Sequence, residues 1–146
     1  MLLGCVLLAV AVLDCDARAE RFAEAVAHLP AAHWALVRSV QITDAASGGR
    51  AFRDGRIRIG EHADAETLWH EVGHIVSYQH GGAMIGAWHR KFWPKGEAKY
   101  TLPSGYAGTN AREDLADSYK RMIRGDLGEC CRERARWLHM RLTDHD

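Results

Sequence analysis

The chain has 146 residues, and its 19 basic and 19 acidic residues give a formal net charge of zero. A chain of this length can bury the core of one compact domain, and the balanced charge gives no reason to expect binding to nucleic acid or to an anionic membrane. The hydrophobic fraction of 47% and the charged fraction of 26% are those of a globular protein, which argues against disorder.

The N-terminal stretch, residues 1–13, is nearly all apolar and has the length of the hydrophobic region of a signal peptide, shorter than a membrane span. A small-x-small cleavage site follows, but a basic start is missing and two aspartates precede the site. Residues 1–19 are therefore interpreted either as the signal peptide of a secreted or cell-envelope protein or as a buried N-terminal segment of a cytoplasmic one. Residues 20–146 are expected to form a single domain without a stable membrane span, and the oligomeric state is left open.

Apolar spacing predicts one helix and then β-structure in the first half of the chain. Residues 18–29 have apolar side chains at helical spacing, and residues 36–43 alternate as in a strand. Residues 51–59 carry Asp-Gly at their centre and predict a hairpin. We expect residues 57–60 to form either an edge strand that can pair with an extended peptide or simply part of a hairpin with a solvated arginine face.

The stretch 64–82 predicts a helix that carries the motif His-Glu-Val-Gly-His. Asp64 is a suitable N-cap, apolar residues recur at helical spacing, and Gly81-Gly82 is expected to end the helix. His70 and His74 are four residues apart and therefore lie on the same helical face, where two imidazoles can bind one zinc ion.

Glu71 lies between the two candidate ligands and is rotated from His70 by about 100°. At this position it flanks the metal and can reach a metal-bound water, which is the role of a general base. The alternative interpretation is a pair of ordinary helix histidines, because the chain has 9 histidines and the motif fixes only three residues.

The second half of the chain predicts an irregular segment and two more helices. Residues 81–109 are rich in glycine and aromatic residues, and the next helix is expected from a Thr109 or Asn110 cap to about residue 124. A last helix is expected over residues 127–142. The neighbouring Cys130 and Cys131 are expected to pack and not to bond to each other, because a disulfide between adjacent residues is strained.

A catalytic zinc takes three protein ligands and keeps a fourth position for water. The helix that follows residue 110 offers Glu113, Asp114 and Asp117 as a third ligand. Glu113 and Asp117 share one helical face, so Asp117 could accept the free ring N–H of a ligand histidine if Glu113 binds the metal. Asp114 points about 100° away from Glu113 and is expected to face solvent.

The motif His70-Glu71-x-x-His74, followed by Glu113-x-x-x-Asp117, resembles the gluzincin pattern of zinc metallopeptidases. Together with Ser-Gly-Tyr-Ala at 104–107, it is similar to the peptidase domain of the anthrax-lethal-factor-like family, which usually has a glutamate at the position of Asp117. The resemblance implies one Zn²⁺ bound by His70, His74 and Glu113, with Asp117 supporting a histidine. It also implies that Tyr106 contacts the reaction centre.

The fold class expected from these patterns is α+β. It would be a small zincin-like domain, in which a short, mostly antiparallel sheet packs on the active-site helix and further helices follow. The expected function is a zinc-dependent endopeptidase, of toxin-like or housekeeping role, that cleaves a protein or peptide substrate, with Glu71 as base and Tyr106 stabilising the oxyanion. The alternatives are a non-catalytic, zinc-stabilised binding domain and a regulatory intracellular peptidase that acts on a repressor-like protein.

Overall fold

The secondary structure of the chain is α+β, as expected. The structure is a computed structural model, which describes residues 12–13, 17–44 and 47–142. The described chain divides into two compact units, residues 1–76 and 77–146. None of the described helices is long and apolar enough to cross a membrane. Most of the N-terminal segment, for which a signal peptide was one interpretation, lies outside the described residues.

The first unit combines short helices with a small mixed sheet. Its elements in chain order are β1 Val12–Leu13, α1 Ala17–Ala27, α2 Ala31–Trp34, β2 Ser39–Thr43, β3 Gly49–Ala51, β4 Arg56–Gly60 and α3 Ala65–Ser77. Helix α1 and the segment after it bury Phe22, Val26 and Leu29, as their spacing predicts. The indole of Trp69 on α3 donates to the carbonyl oxygen of Ala25 at 2.9 Å, which joins α3 to α1.

The predicted hairpin is confirmed. Strand β3 is antiparallel to β4, with Ala51 opposite Ile57, and the turn between them contains Asp54 and Gly55. Gly55 has a φ of +88°, and a Cβ there would lie 2.6 Å from the carbonyl oxygen of Leu36, so this turn requires glycine.

The directions of the strands differ from the sequence-based expectation of a mostly antiparallel sheet. The order is β1-β2-β4-β3, and β2 is parallel to both β1 and β4. The hairpin brings β4 back between β2 and β3, so that β4 runs in the direction of β2. Residues 57–60 therefore lie in an internal strand, so the edge-strand alternative is wrong, and β3 occupies the edge instead. The other alternative, a hairpin with a solvated arginine face, agrees with the exposure of Arg56 and Arg58.

The second unit is helical. It contains α4 Gln79–Phe92, α5 Ala111–Arg124, α6 Leu127–Cys130 and α7 Arg132–Leu142, with short 3₁₀ turns at Pro94–Gly96 and Tyr106–Thr109. The limits of α5 are those expected: Asn110 caps its start, and Gly125 ends it with a φ of 91°. The buried core of this unit consists of Trp88, Phe92, Trp93, Ala111, Leu115, Leu127, Cys131, Trp137 and Leu138.

Three expectations for this half of the chain are wrong. The Gly81-Gly82 pair does not end the helix that carries the His-Glu-Val-Gly-His motif; this helix, α3, ends at Ser77, and both glycines lie inside α4 with positive φ. The first part of the segment that was expected to be irregular belongs to helix α4, residues 79–92. The helix is favoured because Trp88 and Phe92, four residues apart on one face, are both fully buried. Cys130 and Cys131, which were expected not to bond to each other, form a disulfide. They lie at the junction of α6 and α7, where the backbone at Cys131 is not helical.

Candidate metal centre

Helix α3 places the two histidines of the motif side by side on one face. Asp64 caps the helix, since its carboxylate accepts hydrogen bonds from the backbone N–H and the hydroxyl of Thr67, each at 2.9 Å. The rings of His70 and His74 are nearly perpendicular, with centroids 4.8 Å apart. The prediction that both rings lie on one helical face is confirmed.

Glu71 is nearly buried, with 5% of its surface exposed. Strand β3 lies against it: a Cβ added to Gly49 would lie 2.7 Å from the Cγ and 2.8 Å from Oε1 of Glu71. Real Cβ atoms do not come this close, so only glycine at position 49 accommodates the present position of the Glu71 side chain. The edge strand of the sheet therefore borders the candidate general base.

Glu113 lies in the first turn of α5. The side chain of Asn110 accepts hydrogen bonds from the backbone N–H groups of Arg112 and Glu113, at 2.9 and 3.1 Å, which fixes this turn. One ligand atom each from His70, His74 and Glu113 lies within 4.8 Å of the others. These three residues, which the sequence singled out, therefore form a group that could hold a metal ion.

The donor set is chemically suited to a divalent transition metal. Two imidazoles and one carboxylate are ligands that zinc accepts, and three protein ligands leave a position for water. All three side chains are partly buried, which protects a bound ion without closing the site to solvent. The residues present thus fit the metal that the motif implies.

Asp114 does not face solvent, contrary to expectation. Its carboxylate is fully buried and accepts hydrogen bonds from the indole N–H groups of Trp88 and Trp93, at 3.1 and 2.8 Å. Arg134 of α7, which is also fully buried, donates to it twice at 2.8 Å. Arg134 further donates to the carbonyl oxygens of Lys99 and Thr101. These contacts anchor the first turn of α5, next to Glu113, to α4 and α7.

Asp117 and Tyr106 have different environments. The Asp117 carboxylate is 2% exposed, accepts a hydrogen bond from the Ser104 hydroxyl and forms an ion pair with Lys120 at 2.7 Å. The Tyr106 side chain, in the turn that precedes α5, is 59% exposed. Its exposure makes it accessible to a substrate. The support of a histidine by Asp117 and the role of Tyr106 stay predictions.

Sequence reasoning missed two features of this region, Gly49 and Arg134. Gly49 belongs to a glycine pair before a strand, which predicts a turn and gives no sign of contact with Glu71. Arg134 lies among the charged residues of α7, and a fully buried arginine there has no local signal.

The fold and the site together define an α+β protein with a candidate His-His-Glu metal centre. Comparison of the chain with protein-family models finds no match, and comparison with curated proteins and with solved structures finds no significant one. The resemblance to the gluzincins therefore stays a prediction from the motif residues.

Proposed function

We propose that this chain is a zinc-dependent metalloendopeptidase. The observation that carries the proposal is the group of His70, His74 and Glu113, with ligand atoms within 4.8 Å of one another. Glu71, on the same helix as the two histidines, supplies a carboxylate that a purely structural zinc site does not need. Glu71 is also nearly buried, with 5% of its surface exposed.

Each residue has a distinct part in the proposed reaction. Zinc at this centre would lower the pKa of a bound water and polarise the substrate carbonyl. Glu71 accepts the proton of the attacking water and then delivers it to the leaving amine. The accessible hydroxyl of Tyr106 donates a hydrogen bond to the oxyanion of the tetrahedral intermediate, a contribution typically worth about 2.7–4 kcal/mol for one donor.

The substrate is proposed to bind in extended form along β3. In the antiparallel ladder, the backbone N–H of Gly60 donates to the carbonyl oxygen of Gly48 at 2.9 Å, and the backbone N–H of Phe52 donates to the carbonyl oxygen of Arg56 at 2.8 Å. In such a ladder alternate residues bond to the partner strand, so the N–H and C=O groups of Gly49 and Ala51 are directed to the open edge. A peptide can pair with these groups, and Gly49 is the residue that contacts Glu71.

Two variants and two measurements test the proposal. Purified wild type, Glu71→Gln and Glu113→Ala are dialysed without chelator and analysed for metal, and a defined peptide mixture is searched for cleavage products by mass spectrometry. We expect wild type and Glu71→Gln to retain zinc, Glu113→Ala to lose it, and Glu71→Gln to cleave about 10²- to 10⁴-fold more slowly. Glu129→Gln, an exposed site on α6, is the matched control.

The outcomes separate the alternatives. Zinc in the wild type without cleavage of any peptide would favour the non-catalytic, zinc-stabilised binding domain. Absence of zinc after it has been supplied would leave His70 and His74 as ordinary helix residues. Retention of zinc by Glu113→Ala would assign the third ligand to a different residue.

A further inference from the structure

The outer face of the β3–β4 hairpin is basic. Alternation along the strands puts Ile57 and Ile59 in the core and places Arg50, Arg56 and Arg58 in solvent. The guanidinium carbons of these three arginines lie 5.3, 5.0 and 5.4 Å from the centroid of the Phe52 ring. We call this cluster of three arginines around Phe52 the arginine face.

Among the residues that the structure describes, acidic groups balance only part of this charge. Arg56 pairs with Asp54 at 2.7 Å, and the guanidinium of Arg58 donates to the neutral amide oxygen of Gln41 at 3.2 Å. Within the described chain, neither Arg50 nor Arg58 forms an ion pair, although the two are directly opposite each other across the ladder. Like charges in that position destabilise a sheet, and contact with one aromatic ring offsets only part of the repulsion. The arginine face is therefore complementary to an anionic partner.

The arginine face is continuous with the edge proposed to bind substrate. Arg50 lies on β3 between Gly49 and Ala51, which direct their main-chain groups to the open edge. A peptide paired with this edge extends the sheet, so every second side chain falls on the same face as Arg50. The side chains between them fall on the face of Gly49, which borders Glu71.

We propose that the arginine face selects extended polypeptides that carry aspartate or glutamate at alternate positions. The proposal rests on the peptidase function inferred above and adds a substrate class to it. Arg50 is the principal contact, since it lies on the edge strand itself, and Arg58, opposite it, extends the positive potential. A peptide is favoured over a nucleic acid because the open strand edge offers main-chain partners that only a polypeptide matches.

Binding and cleavage are measured separately so that the two proposals can fail independently. Fluorescein-labelled peptides of one length carry glutamate or glutamine at alternate positions, and fluorescence anisotropy gives their affinity for the zinc-loaded Glu71→Gln protein. We expect the glutamate peptide to bind about three- to tenfold more tightly at low salt, as for two exposed ion pairs, and the difference to shrink as salt is added. The double substitution Arg50→Gln/Arg58→Gln in the same background should abolish the difference, and Arg136→Gln, exposed on α7, should leave it unchanged.

Each other outcome overturns one proposal. Equal affinity for the two peptides, or tighter binding of a single-stranded oligonucleotide than of the glutamate peptide, would overturn the acidic-peptide proposal. Wild-type cleavage of both peptides at the same rate would retain the peptidase and reject the selection. Tight binding of the glutamate peptide without cleavage of either one would reject the peptidase and keep the arginine face as a binding surface. Circular dichroism of the double variant checks its fold.

Discussion

At the scale of single residues, the contact between Gly49 and Glu71 is the most restrictive feature of the site. The strand backbone approaches the carboxylate so closely that a methyl group at position 49 would overlap the Glu71 side chain at 2.7 Å. The position of Glu71 therefore depends on a residue that is remote in sequence and that has no chemical function of its own.

Gly49→Ala is expected to displace Glu71 without removing a metal ligand. Turnover should fall about 10- to 100-fold, part of the effect of losing a general base, while zinc content stays that of the wild type. Steady-state kinetics and metal analysis measure the two effects. Gly128→Ala is the control, because a Cβ there meets no atom within 4 Å. Unchanged turnover in Gly49→Ala would show that Glu71 either tolerates the shift or is not the base.

A second residue-scale prediction concerns pH. Burial lowers the pKa of His33 below its ordinary value of 6.5, because the interior disfavours the charged ring. As the pH falls, His33 therefore binds a proton in the unfolded chain at a higher pH than in the folded chain. The contribution of His33 to folding stability is retained above pH 6.5 and declines as the pH falls below 6.5. His33→Gln should make the melting temperature fall less between pH 7 and pH 5 than in the wild type.

The control for that measurement is His62→Gln, since 70% of the His62 side chain is exposed. Its melting temperature should follow the pH dependence of the wild type. Parallel curves for the wild type and His33→Gln would rule out the titration of His33 as a source of acid sensitivity.

At the scale of elements, α5 is joined to α4 and α7 by one buried carboxylate. The Asp114 carboxylate accepts hydrogen bonds from the indoles of Trp88 and Trp93 and forms an ion pair with Arg134. Both charged side chains of this ion pair are fully buried. A buried ion pair contributes little net stability as long as it is complete, but a single remaining charge is costly. We therefore expect the ion pair of Asp114 and Arg134 to contribute more to how these helices pack than to net stability.

Arg134→Met leaves the Asp114 charge buried without its counter-ion. The free energy of unfolding should fall by about 3–5 kcal/mol. Urea denaturation followed by circular dichroism measures it. Arg136→Met, on the same helix but with 64% of the Arg136 side chain exposed, should change the free energy of unfolding by less than about 1 kcal/mol. A similarly small effect of Arg134→Met would mean that the two indoles alone hold Asp114.

At the scale of the whole molecule, binding of a metal ion at the candidate site would be coupled to folding. An ion that binds only the folded chain stabilises it by an amount that grows with the logarithm of its concentration, about 2.7 kcal/mol at 100 times Kd. The candidate ligands come from two helices that are distant in sequence, α3 and α5, so the unfolded chain does not preform the site.

Added zinc should therefore raise the melting temperature of the wild type in a concentration-dependent way, and a chelator should reverse the rise. Glu113→Ala should lose the shift, and Glu129→Ala, with its exposed position, should keep it. Differential scanning fluorimetry at several zinc concentrations is sufficient. An equal shift in Glu113→Ala would place the stabilising ion elsewhere in the chain.

The sequence by itself determined the two helices that bear the candidate ligands. Each signal for these helices lies within a few residues of the feature that it predicts. The signals are the Asp64 cap of α3, the spacing of His70 and His74, and the Asn110 cap and Gly125 end of α5. Such signals act through local hydrogen bonds and the helical repeat, so they operate whatever the rest of the chain does.

The tertiary structure alone decided the insertion of β4 between β2 and β3, the burial of Asp114 against Arg134, and the contact of Gly49 with Glu71. Each depends on groups about 17 to 22 residues apart that meet only when the elements pack. Strand order and the burial of a charge are set by the partners available in space, because hydrogen bonds and desolvation depend on distance and not on position in the sequence.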